Sequence, residues 1–132
     1  MEKSTILVVD DETLIRICLS DYLQEEGFKT LEAASLKEAK AIIDAGDVDL
    51  VLTDIRMDGP FDGIELAKYL RGRKPGLPVV FVSGNSPDKA DQELGAGQHF
   101  LTKPVDYRKM AGLIGSLLAR GAADADGSLH VG

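Results

Sequence analysis

Apolar residues in this chain come in two alternating patterns: short unbroken runs, and longer stretches spaced by three and four. The first run, Thr5-Ile-Leu-Val-Val9, predicts a strand covered on both faces. Leu14, Ile15, Cys18, Leu19, Tyr22 and Leu23 then follow helical spacing, and Gly27 is placed to end that helix. Residues 29–33 predict a second, less apolar strand. Ser35-Leu-Lys-Glu38 has the form of a capping box and opens a helix with Leu36, Ala39, Ile42 and Ile43 inward. Val48 to Thr53 predicts the third strand, with Asp54 directly after it.

The alternation continues in the second half. After a loop at 55–61, Asp62-Gly-Ile-Glu65 starts a helix whose apolar side is Ile64, Leu66, Ala67 and Leu70. A turn-rich connection from Gly72 to Pro78 precedes a fourth strand, Val79 to Val82. Ser86-Pro87 supplies an N-cap and first turn for a short helix to about Leu94. Phe100-Leu101 predicts a brief fifth strand, and Asp106 caps a last helix carrying Met110, Leu113, Ile114, Leu117 and Leu118. Gly112 and Gly115 each cost that helix about 1 kcal/mol against Ala, so it is expected to depend on docking. From 121 to 132 no core-forming pattern remains, which predicts a domain over 4–120 and a disordered tail over 121–132.

Strands alternating with helices predict an α/β fold, a parallel sheet between two helix layers with right-handed crossovers. Polar residues stand where the buried strands stop: Asp10-Asp11, Asp54, Ser83 and Lys103-Pro104. In an open parallel sheet that edge binds ligands, and the ends of strands one, three, four and five converge only if those strands are neighbours. The doubly wound, flavodoxin-like order 2-1-3-4-5, with five helices, makes them so.

Composition narrows the functional classes. At 132 residues the chain is sized for one domain, and 44% apolar with 28% charged residues is ordinary for a globular protein. The net charge of −7 argues against a nucleic-acid grip, and the basic stretch Lys68 to Lys74 is expected to be the solvated end of a helix. No apolar stretch approaches the roughly 20 residues of a membrane span. The single cysteine, Cys18, excludes an internal disulfide and fits a reducing compartment, so a cytoplasmic protein is expected.

The strand-end residues carry the candidate chemistry. Asp10, Asp11 and Asp54 could share a hard cation such as Mg²⁺, which takes octahedral oxygen ligands and keeps several waters. The plainer alternative is that one acid of the pair caps the next helix. A carboxylate can act as a nucleophile toward phosphorus, and phosphoryl transfer rests on positioning and charge neutralisation. Lys103 offers a compact positive charge and Ser83 a hydroxyl; alone, each would be an ordinary surface lysine and turn serine.

The runs ILVVDDE (6–12), VDLVLTDIRM (48–57), VVFVSGN (79–85) and FLTKP (100–104) resemble the receiver domain of two-component response regulators, over about residues 4–120. The resemblance implies that Asp54 accepts a phosphoryl group from a histidine kinase or histidine phosphotransfer protein. It implies Mg²⁺ held by Asp11, Asp54 and the main-chain carbonyl of Arg56, with Asp10 acting largely through water. Lys103 would pair with the phosphoryl group, Ser83 would swing toward it, and Phe100 would turn inward as an aromatic switch. A plain core aromatic is the alternative for Phe100. The Lys103-Pro104 bond would be cis, and the face built from the fourth helix, fifth strand and fifth helix would meet a downstream protein.

Two segments depart from the pattern. The loop after Asp54, Met57-Asp58-Gly59-Pro60-Phe61-Asp62-Gly63, is about one residue longer than usual, with Asp58 where a proline is expected. The segment 86–99 is about two residues shorter than in many receivers, and Leu94-Gly-Ala-Gly97 replaces the usual Ala-Gly-Ala. Partner specificity is where these changes would act.

The leading expectation is therefore a stand-alone receiver, a phosphorylation-dependent switch that catalyses at most its own phosphoryl transfer and dephosphorylation. A pseudo-receiver acting only as a docking module is the alternative. A Mg²⁺-dependent phosphatase is disfavoured because Arg56 stands where haloacid-dehalogenase-type enzymes carry a second Asp. A flavodoxin-type flavin site is disfavoured because Asp10-Asp11-Glu12 would repel its phosphate.

Overall fold

Five strands, each five residues long, form one parallel sheet in the order β2-β1-β3-β4-β5. They are β1 (Thr5–Val9), β2 (Lys29–Ala33), β3 (Leu50–Asp54), β4 (Val79–Ser83) and β5 (Gln98–Thr102). The helices are α1 (Thr13–Glu25), α2 (Leu36–Ala45), α3 (Asp62–Arg73) and α4 (Tyr107–Asp126). This computed structural model describes residues 3–55, 62–84 and 98–126. The helix expected over 86–94, and most of the two atypical segments, lie outside the described residues.

Every residue of β1, β3 and β4 is buried, which is why these strands read as unbroken apolar runs. Alternate side chains go to opposite faces. Leu7, Val9, Val51, Val79 and Phe81 face Ala39 and Ile43 of α2 and Leu66, Ala67 and Leu70 of α3. Ile6, Val8, Leu50, Leu52, Val80 and Val82 face Leu19 and Leu23 of α1 and Met110, Ile114 and Leu117 of α4. Tyr22 and Tyr107 meet edge to face, with ring centroids 5.1 Å apart, and tie α1 to α4. The edge strand β2 is mostly exposed, in keeping with its less apolar sequence.

The boundaries follow from identifiable hydrogen bonds. Ser35 Oγ accepts from the Glu38 N–H at 3.2 Å, while the Glu38 carboxylate accepts from the Ala34 N–H at 3.0 Å. The box is thus displaced by one residue on its return side. β3 begins at Leu50 rather than Val48; just before it the Asp49 N–H donates to the Thr5 carbonyl at 2.9 Å and the Asp49 carboxylate accepts the Thr5 N–H at 2.7 Å. Asp54 is the last residue of β3, not the first residue beyond it. Asp106 caps α4 through the Lys109 N–H at 3.1 Å, and the helical backbone continues to Asp126, past the expected boundary at 120. Helical hydrogen bonding needs no apolar pattern, so the backbone helix can outlast the pattern that stops before Gly121.

Two glycines show opposite demands of the fold. A Cβ at Gly63 would lie 2.5 Å from the Asp54 carbonyl oxygen and 2.7 Å from Ile55 Cα, so α3 can start against β3 only without a side chain there. A Cβ at Gly112 would meet nothing within 4 Å. Gly112→Ala should therefore stabilise the chain by about 1 kcal/mol through helix propensity. Gly63→Ala should destabilise it by at least about 1–3 kcal/mol through overpacking. Urea midpoints of the two variants against wild type check the pair, and the same sign for both would contradict this account.

Candidate functional site

The strand ends gather the acids. In the β1–β3 register Val9 stands opposite Thr53, so Asp10 and Asp54 are the next residues along neighbouring strands. Carboxylate oxygens of Asp10, Asp11 and Asp54 all lie within 4.8 Å of one another. Asp10 and Asp54 are buried, while Asp11 is exposed. Oxygens on opposite sides of a Mg²⁺ ion are about 4.2 Å apart, so the cluster fits one ion with a small contraction, or with one acid reached through water.

Asp10 makes a local contact and also belongs to the acidic cluster, but it does not cap α1, whose N-cap is Glu12. Its Oδ1 accepts the Glu12 N–H at 2.9 Å, shaping the turn into α1, and its carboxylate also belongs to the acidic cluster. Its own N–H donates to the Ala33 carbonyl at the tip of β2, at 3.1 Å.

The other predicted residues come from β4 and β5. Lys103 Nζ donates to Asp54 Oδ2 at 2.9 Å. Ser83 ends β4, is buried, and accepts the Lys103 N–H on its carbonyl at 2.7 Å. The Lys103–Pro104 peptide bond is cis. Phe100 is half-buried and stacks on Phe81, with centroids 5.2 Å apart and planes inclined by 23°. Arg56 lies outside the described residues.

Sequence reading overlooked Arg16 and Glu32. Arg16 Nη1 donates to the Asp10 carbonyl oxygen at 2.9 Å, and Arg16 Nε donates to Glu32 Oε1 at 3.0 Å. Neither contact has a local spacing signal, because only the β1–β2 pairing brings residues 10, 16 and 32 together.

The family model for the response regulator receiver domain matches residues 6–114. The chain belongs to this family. Its receiver domain is similar to the response regulator protein PilR of Pseudomonas aeruginosa, with 38% identity over 121 residues, covering 89% of this chain and 27% of PilR. The chain thus spans about a quarter of that relative's length. Among solved structures, a CheY-like receiver domain protein from Methanospirillum hungatei matches with a TM-score of 0.85 and 26% identity, covering 93% of this chain and 99% of that one. TrrA of Thermotoga maritima, solved in complex with Mg²⁺-BeF, matches with a TM-score of 0.76 and 28% identity, covering 86% and 98%. No helix among the described residues is long and apolar enough to cross a membrane.

Electrostatics in the receiver site are unbalanced toward negative charge. Burial raises the Asp10 carboxyl above its ordinary 3.8; the Glu12 N–H opposes this, Asp54 and Asp11 add to it, and Lys103 subtracts. Burial pulls Lys103 down, but its bond to Asp54 and the nearby acids outweigh burial and raise it above 10.5. The Lys103 contribution to stability is therefore complete below pH 10.5 and is lost as pH rises through the folded value. For Asp10 the proton is held more tightly in the folded chain. Its favourable contribution is complete below pH 3.8 and is lost as pH rises through the folded value. At neutral pH the ionised Asp10 thus opposes folding. Asp10→Asn keeps an acceptor for Glu12 and removes the charge, so it should raise the thermal midpoint at pH 7 in EDTA; a lowered midpoint would contradict the electrostatic account.

Proposed function

We propose that this receiver domain accepts a phosphoryl group on Asp54 in a Mg²⁺-dependent reaction and thereby switches a protein-interaction face. The observation that carries the reading is the 2.9 Å bond from Lys103 to Asp54 within the Asp10–Asp11–Asp54 cluster. An acid that is to bond phosphorus needs its neighbours' charge offset and a cation waiting for the new phosphoryl oxygens.

In this mechanism an Asp54 carboxylate oxygen attacks phosphorus. The P–N bond of a phosphohistidine donor breaks, and the imidazole leaves with the bonding electron pair. Asp11, Asp54 and the Arg56 carbonyl would hold Mg²⁺, with Asp10 acting largely through water; when bound, the ion neutralises the crowded acids and the transferred group. The TrrA complex with Mg²⁺-BeF supports bringing that cation to this chain. Lys103 exchanges its contact with Asp54 for one with the new phosphoryl oxygens, and the Ser83 hydroxyl donates to another. Phe100 then repacks, altering the face formed by β5, α4 and the segment before them. Such a shift is driven only by contacts that differ between the two states, and these three residues supply them.

A histidine kinase or histidine phosphotransfer protein would be the donor, and a downstream protein would read the altered face. The receiver is a substrate and switch in this scheme rather than an enzyme acting on other molecules.

Incubation with acetyl phosphate, with and without Mg²⁺, followed by intact mass measurement, tests the reading. One Mg²⁺-dependent, hydroxylamine-labile phosphoryl adduct is expected, and none in Asp54→Ala. An adduct that survives in Asp54→Ala would overturn the acceptor assignment. If neither the small donor nor a cognate kinase labels wild type, the docking-module reading replaces this one.

A further inference from the structure

Arg16 is unusual among the described cations in bonding to the main chain of an acidic-cluster residue. Its guanidinium makes two contacts at once: Nη1 to the Asp10 carbonyl oxygen at 2.9 Å, and Nε to Glu32 Oε1 at 3.0 Å. The side chain is only 14% exposed, against 38% for Glu32. Asp10 is thereby held three ways: its N–H by Ala33, its carboxylate by the Glu12 N–H, and its carbonyl by Arg16.

The carbonyl is the consequential one. The peptide unit is planar, so fixing the Asp10 oxygen also fixes the Asp11 N–H on its opposite side, and with it the direction from which Asp11 departs. Asp11 is exposed, yet its carboxylate lies within the 4.8 Å cluster. An ion pair serving only to join α1 to β2 would not need the bond to Asp10. That junction already has the Ser20–Thr30 hydroxyl contact at 2.6 Å and the Gln24–Thr30 bond at 2.7 Å.

We infer that Arg16, braced by Glu32, is a positioning residue that orients the Asp10–Asp11 peptide and so preorganises the acidic cluster for its cation. This rests on the proposed Mg²⁺-dependent function and adds to it a device that reaches back to the edge strand β2. Arg16 does not touch the cation itself. The two-pronged contact requires the planar fork of arginine; a lysine ammonium in its place keeps the charge and loses the geometry.

Calorimetric Mg²⁺ titration of the full chain, with thermal midpoints measured in EDTA, tests the inference. Residues that orient metal ligands without binding metal commonly change affinity by 10–100-fold, and Arg16→Ala is expected to weaken Mg²⁺ binding by about tenfold. Acetyl phosphate labelling should recover when Mg²⁺ is raised to saturation, and Arg16→Lys should not restore affinity. Glu32→Ala, which leaves Arg16 in place, should weaken Mg²⁺ binding by a smaller factor, and should add nothing in the Arg16→Ala background. A folded Arg16→Ala with wild-type Mg²⁺ affinity would overturn the inference, as would full rescue by Arg16→Lys. Should Arg16→Ala not fold, unchanged Mg²⁺ affinity in Glu32→Ala would overturn it instead. Wild type that binds no Mg²⁺ would mark failure of the underlying function; wild type that binds while the variants match it would mark failure of this inference alone.

Discussion

Repulsion among carboxylates is the constraint around which this molecule is arranged. Two unit charges about 4 Å apart interact by about 4 kcal/mol at the effective dielectric near a protein surface. Neighbouring strands in a sheet are about 4.8 Å apart. Once β1 and β3 are paired with Val9 opposite Thr53, residues 10 and 54 are therefore close whatever their side chains. The crowding is a consequence of register, and a slip by one residue would send Asp54 to the other face of the sheet. The Lys103 ammonium bonds directly to one of these acids, Asp54. Three carboxylates held this close repel one another, and the rest of the fold must hold them in place.

Burial on both faces does most of this holding. β1, β3 and β4 are locked between two apolar layers, so their ends cannot spread apart to relieve the repulsion. Gly63 adds a local restraint, since it lets α3 sit directly on the Asp54 and Ile55 backbone, where its N–H donates to the Ile55 carbonyl at 2.9 Å. On the other flank, the Ala33, Glu12 and Arg16 contacts immobilise Asp10. Stability is lost at the site and recovered in the layers behind it, which is the usual exchange at a preorganised functional centre.

The sheet order and the set of strand ends were legible because both rest on periodicity. A strand buried on two faces has to be apolar throughout, so the polar residue that follows it is conspicuous in the sequence. Asp10 follows β1 in this way, Asp54 and Ser83 close β3 and β4 as their last residues, and Lys103 follows the edge strand β5. What could not be read were contacts joining residues distant along the chain by chemistry rather than pattern. Arg16 lies among apolar helix positions and looks like a solvent-facing charge, and nothing near it in sequence announces Glu32 or the Asp10 carbonyl. Asp49 is similar: its carboxylate accepts the Thr5 N–H across 44 residues of chain, a contact no local pattern announces. The backbone of α4 runs past residue 120 to Asp126, which an apolar pattern alone does not announce.

The two halves of the site are built differently, and the difference bears on how a signal would leave it. Asp10 is bonded through backbone and side chain to β2 and to the start of α1. The Lys103 N–H, just beyond β5, donates to the Ser83 carbonyl at the end of β4 at 2.7 Å. Among the described residues β5 is the edge strand, and Phe100 is half-buried there. Under the proposed function, a change of charge at Asp54 is passed through Lys103 to β5, where Phe100 stacks on Phe81.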